Sequence, residues 1–185
     1  MTTALPTAPV IEDTRLWLER AVIGLNLCPF AKAVHARRQV HFAVSSGDDF
    51  APVLTELEAQ ADALLALPAG ERDTTLLMVP QGFEDFLLFN ELVRAGERLL
   101  ARRGLEGVLQ LASFHPRFVF AGAGEDDIAN CSNRSPWPTL HLLREASIDR
   151  AVAAFPQAEA IYEANIRTLE RLGPRGWLAL GVGRS

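Results

Sequence analysis

At 185 residues the chain has the length of one ordinary domain. Its 49% hydrophobic and 22% charged residues are those of a soluble globular protein with apolar side chains enough for its own core. The net charge of −5 excludes a general nucleic-acid binder, which needs a cationic surface. No apolar run reaches the length of a membrane span, the N-terminus has no basic region followed by an apolar one, and the two cysteines are too few for a disulfide scaffold. The expectation is a cytoplasmic protein with reduced thiols and no membrane partner.

Residues 1–12, with two prolines and no periodicity, read as a flexible tail, and 13–185 as a single α/β domain. Leu18, Val22 and Leu25 recur at helical spacing behind Asp13 and Thr14, with Ile11 and Trp17 adding to the buried face. Pro29 suits the first position of a second short helix, running through Val34. That would set Cys28 at its N-cap, where free backbone N–H groups favour a reactive thiolate; the alternative is a small buried hydrophobe at a helix junction.

Residues 38–45 alternate as a strand, with Val40, Phe42 and Val44 on one face and His41 on the other. After the turn at 45–49, Phe50, Val53, Leu54, Leu57, Ala61, Leu64 and Leu65 share one helix face. Thr74 to Val79 is apolar without alternation, as in a strand covered on both sides. A helix from Glu84 to Arg103 follows, in which Gly96 lies on the apolar stripe and marks close packing against the sheet, with Gly104 as C-cap. Gly107 to Ser113 is a third strand. This βαβαβ order predicts an α/β fold with three or more mostly parallel strands, crossover helices and additional C-terminal helices. Phe118 to Phe120 reads as a further short strand. A helix carries Leu140, Leu143 and Ser147 and is broken by Pro156. A last helix runs from Ile161 to Gly173-Pro174, and Trp177 to Leu180 reads as an edge strand or packed tail.

The chemistry concentrates between Phe114 and Glu145. His115 follows a strand at the carboxyl end of the sheet, where open α/β sheets bind ligands; it reads as general acid/base, or as a histidine tied to backbone in a turn. Asp127 and Asn130 share a helical turn and read as loop ties or substrate contacts. Asn133 and Arg134 precede Ser135 and Pro136, and the Arg134 fork suits a carboxylate or phosphate unless an aspartate takes it. His141 and Glu145, four apart on the expected helix, share a face with Arg144 close by. Two such ligands make no metal site, so a divalent metal is not the favoured reading even with His115 added. A Cys–His nucleophile pair of Cys28 with His115 or His141 is a further alternative. No Gly-rich phosphate loop is present.

Cys28-Pro29-Phe30, Phe114-His115-Pro116 and Asn133-Arg134-Ser135-Pro136, running into His141-Leu142-Leu143-Arg144-Glu145, resemble a bacterial family catalogued as domain of unknown function 1415. The resemblance covers about Trp17 to Trp177. It implies that the motif residues form one site and assigns no activity.

The expected function is a small-molecule enzyme for an anionic substrate, a phosphate or carboxylate. Cys28, His115 and His141 are the candidate reacting groups. Asp127, Asn130, Asn133, Arg134, Arg144 and Glu145 are the candidate binding groups. The alternative is a non-catalytic module that binds a metabolite or protein through the same stretch. Neither reading settles an oligomeric state.

Overall fold

The computed structural model describes residues 6–154 and 160–184. Four strands form one open sheet: β1 (Val40–Val44), β2 (Thr74–Met78), β3 (Leu109–Phe114) and β4 (Thr139–Arg144), in the order β1-β2-β4-β3. Only β1 and β2 pair in parallel; β4 runs antiparallel to both β2 and β3. The α/β class therefore holds, but the sheet is not mostly parallel by pairing. The three strands joined by crossover helices do point the same way. The fourth returns between β2 and β3, after a long irregular segment and without a crossover helix.

That fourth strand corrects the expected helix at Leu140 to Ser147. The stretch Thr139–Arg144 is strand, and α5 (Glu145–Ala154) starts only afterwards. Both faces of a central strand are covered, so its apolar residues do not alternate, and Leu140, Leu143 and Ser147 fall at helical spacing by coincidence. The expected break at Pro156 lies outside the described residues.

One face of the sheet carries the larger core. Leu77, Leu109, Leu111, Leu140 and Leu142 pack against α3 (Phe50–Ala66) and α4 (Phe86–Arg102). Asp49 and Asp85 cap these two helices by accepting from the backbone N–H of Phe50 and Leu88. Gly96 of α4 sits where α3, α4 and β3 meet, as its place on the stripe predicts. A Cβ there would lie 2.8 Å from Leu111 Cδ2 and 2.9 Å from Leu57 Cδ2. Gly82, at φ +79°, lets the turn after β2 lie against the one after β1; a Cβ would stand 2.0 Å from the Asp48 carbonyl oxygen.

The other face is covered by α1 (Thr7–Trp17), whose last turn widens into a π-helical stretch over Leu18–Ile23. The helix thus begins at Thr7, inside the segment expected to be a tail, and Val10 is buried against Leu76 and Met78. Trp17, Leu18 and Val22 pack with Val40, Phe42 and Phe114. α2 (Ala31–Ala36) begins two residues later than expected, with Phe30 as its N-cap, so Cys28 lies in the turn before it. Phe118 to Phe120 is not strand. Trp177 to Ala179 belongs to α6 (Ile161–Ala179), which leaves helical geometry at Gly173 (φ 65°) and resumes at Pro174, a residue that tolerates a first helical turn.

Candidate functional site

The strand register decides which side of the sheet each polar residue of β4 serves. Leu140, Leu142 and Arg144 point toward α3 and α4, and Thr139, His141 and Leu143 toward α1. His141 therefore lies across from Leu76 on β2 and Ala112 on β3, with the Phe114 ring centroid 5.8 Å away.

On that side the helices do not close completely over the sheet. A cavity of about 190 Å3 remains, lined by Trp17, Cys28, Phe30, Phe114, His141 and Ile148 among others. Cys28 and His141, 113 positions apart, thus line one cavity. Neither cysteine is in a disulfide.

The tautomer of His141 follows from its partners. Thr74 Oγ1 stands 2.6 Å from His141 Nε2 and 2.6 Å from the Leu142 carbonyl oxygen. A carbonyl only accepts, so the hydroxyl proton goes to Leu142, and Nε2 must carry the proton that it donates to Thr74. Nδ1 is left with its lone pair and has no partner among the described residues. Burial pushes the imidazole down from its usual 6.5 to about 4, because removing the ring from water penalises the charged form. His141 is consequently neutral at physiological pH, with Nδ1 as an acceptor.

His115 is placed differently. It is wholly buried, with its ring centroid 5.3 Å from that of Phe86 and 5.1 Å from that of Phe89. Nε2 donates to the Phe83 carbonyl oxygen at 3.0 Å, and Nδ1 accepts from the Arg117 backbone N–H at 3.0 Å. Burial, first among its causes, holds this imidazole below its usual pKa, and both ring nitrogens are occupied by backbone. Of the two roles open to it from sequence, this geometry is that of the histidine tied to backbone in a turn.

The binding residues expected around it hold the irregular segment together. Asn130, fully buried, donates to the Gly124 carbonyl oxygen at 2.8 Å and accepts from the Phe120 N–H at 3.0 Å. Arg134 donates to the carbonyls of Phe118 and Glu125 rather than to an aspartate. Asp127 caps the 3-10 turn Ile128–Asn133 by accepting from the Ala129 N–H. The Asn133 carbonyl accepts from the His115 N–H, and its side chain accepts from Ser132. Arg144 turns to the opposite layer and donates to the Leu64 and Leu67 carbonyls at the end of α3. Glu145 opens α5, its N–H on the Val108 carbonyl, and shares no helix with His141.

Arg134 also borders a wide cleft of about 950 Å3 beside α4, with Arg94, Arg117, Glu97 and Asp126 on its walls. Among the described residues, the cleft and the cavity share no lining residue. The motif residues therefore divide between two places. Among the described residues no three His, Cys, Asp or Glu side chains are grouped to hold a metal, and no helix is long and apolar enough to cross a membrane. Sequence reasoning missed Thr74, which sets the tautomer, and Trp17 and Phe114 as walls. Their apolar or strand settings were visible in the sequence, but their placement against His141 was not.

A family model described as a protein of unknown function, DUF1415, matches residues 9–179. No curated protein and no solved structure matches the chain.

Proposed function

The chain belongs to this DUF1415 family of unknown function, whose description brings no activity with it, and we propose from the geometry that it is a small-molecule enzyme reacting through Cys28 and His141. The observation that carries the reading is the shared cavity: a thiol and a neutral imidazole with a bare nitrogen, on apolar walls. Nucleophilic catalysis by cysteine needs such a pair. The thiol sulfur would bond an electrophilic carbon while its proton passes to Nδ1 of His141. From there the proton moves to the atom that receives the displaced electrons. A base held at about 4 takes the thiol proton only as the new bond forms.

The anionic substrate expected from the arginines gains no support from this cavity. Arg144 lines the cavity, but its guanidinium is taken by the carbonyls of Leu64, Leu67 and Arg72, and Arg134 belongs to the separate cleft. A neutral substrate suits the apolar walls better, because an ion taken into them loses its hydration beside a guanidinium already committed to backbone carbonyls.

Short-chain p-nitrophenyl esters test the reading. Mass spectrometry should find the acyl group on Cys28 and none on a Cys28→Ser protein. His141→Asn should slow acylation by about a hundredfold, the low end of general-base effects. Acylation that lands elsewhere, or that ignores His141, would overturn it. A second reading, a non-catalytic module for a metabolite, is favoured by the weak base and the apolar walls. It predicts saturable binding in the same cavity with no adduct. Binding of a protein partner instead would draw on the open cleft beside α4.

A further inference from the structure

The polar atoms around the cavity narrow what it can hold. Among the described residues, the strong side-chain donors that line it are already used or enclosed. His141 Nε2 donates to Thr74, and the Thr74 hydroxyl to the Leu142 carbonyl. The Ser147 hydroxyl, at the rim, donates to Asp73. The Trp17 indole N–H has no partner among the described residues, but it is enclosed by protein with no surface for a ligand to approach. Arg144 lines the cavity too, but its guanidinium donates to the Leu64, Leu67 and Arg72 carbonyls. Only the Cys28 thiol remains, and a thiol is a weak donor. The acceptors are different: Nδ1 of His141 is bare, and the carboxylate of Asp73 lies at the rim.

We infer that the cavity's ligand is a small neutral molecule, apolar over most of its surface, whose hydroxyl donates a hydrogen bond to Nδ1 of His141. The inference rests on the cavity being the working site and adds the class of molecule it takes. A ligand carbonyl would find no good donor and lose its hydrogen bonds to water. A carboxylate or phosphate would meet Asp73, while the cation on the wall, Arg144, already gives its guanidinium to the carbonyls of Leu64, Leu67 and Arg72. A hydroxyl satisfies both itself and the imidazole. Size agrees: an apolar cavity of about 150 Å3 in another protein takes up benzene, so about 190 Å3 accommodates a ring or short chain with one further group.

Phenol and toluene form the test pair, since they differ by a hydroxyl in place of a methyl. Dissociation constants are measured for both on the wild-type protein and on His141→Phe, which keeps a ring and removes the acceptor. The expected result is that phenol weakens relative to toluene by about fivefold in the variant, as a single neutral hydrogen bond implies. Both ligands should also protect Cys28 from iodoacetamide. If both bind and protect Cys28 but their ratio is unchanged in the variant, the hydroxyl assignment is wrong while the cavity reading stands. If neither protects Cys28, the cavity reading falls and takes the inference with it. Should His141→Phe fail to fold, the 15N resonance of Nδ1 in the wild-type protein decides. It must move with phenol and not with toluene, and a resonance indifferent to phenol overturns the inference.

Discussion

Acid should destabilise this protein well above the pH at which its carboxylates protonate, and His141 should account for a measurable part. In the folded state burial holds its pKa at about 4, against 6.5 when exposed. Between those values the unfolded chain binds the proton and the folded chain refuses it. Stability is therefore fully present above about pH 6.5, is lost as pH falls, and stops being lost below about pH 4. Integrating proton binding over that window gives a loss of about 2 kcal/mol at pH 5 and about 3 kcal/mol at pH 4 relative to neutral pH. His115, also lowered by burial, adds to the loss in the same direction. The measurement is urea denaturation at pH 7 and pH 5 for wild type and His141→Phe. The wild-type protein should lose about 2 kcal/mol more than the variant between the two, a difference of about 1 M in midpoint. Parallel losses would refute the reasoning, as would an NMR titration of the folded protein that places His141 near 6.5.

Other substitutions separate scaffold from site. His115→Ala leaves the Phe83 carbonyl and the Arg117 N–H without partners and opens a void between two phenylalanines. It should cost about 3 kcal/mol, lowering Tm by roughly 6–12 °C. An unchanged melting curve in calorimetry would return His115 to the catalytic candidates. Asn130→Ala removes three ties within the 120–130 segment. Hydrogen exchange there should quicken, with about 2 kcal/mol lost overall; unaltered exchange would show that the segment is held otherwise. Gly82→Ala drives a Cβ into the Asp48 carbonyl at a positive φ. It should destabilise by more than about 2 kcal/mol in chemical denaturation, and a neutral result would mean the two turns are free to separate. Thr74→Val takes away the partner of Nε2 and so frees His141 to change tautomer. The 15N spectrum of the ring should report a mixture, where the wild type shows protonation at Nε2 alone.

Much of the scaffold was legible because local chemistry and tertiary context agree. The seven apolar residues from Phe50 to Leu65 name the face of α3, and Asp49 caps it as its side chain predicts. Gly96 on an apolar stripe foretold a close approach, and Leu111 and Leu57 supply it. The strand β2 was recognisable from its short unbroken apolar run, stopped by Pro80 and Gly82, as in a strand covered on both faces. The same property hid β4. A segment buried on both faces offers no period, so Leu140, Leu143 and Ser147 could be read as a helix face.

The candidate site divides along the same line. Sequence alone determined which residues had chemistry to offer: Cys28 and His141 were both candidates, and their pairing was one of the alternatives. It also determined that His115 sits where a strand ends, because strand period and the following proline are local facts. Only the tertiary structure decided which way each residue points and what it touches. A one-residue shift of β4 would turn His141 away from the cavity to the α3 side, and the strand's mixed apolar pattern does not by itself announce which register is taken. The register is set by partners far along the chain, with Leu76 across from His141 on one side and Ala112 on the other. That register, with the Thr74 hydroxyl on Nε2, leaves His141 a bare nitrogen in an apolar cavity. The Phe83 carbonyl and the Arg117 N–H leave His115 none.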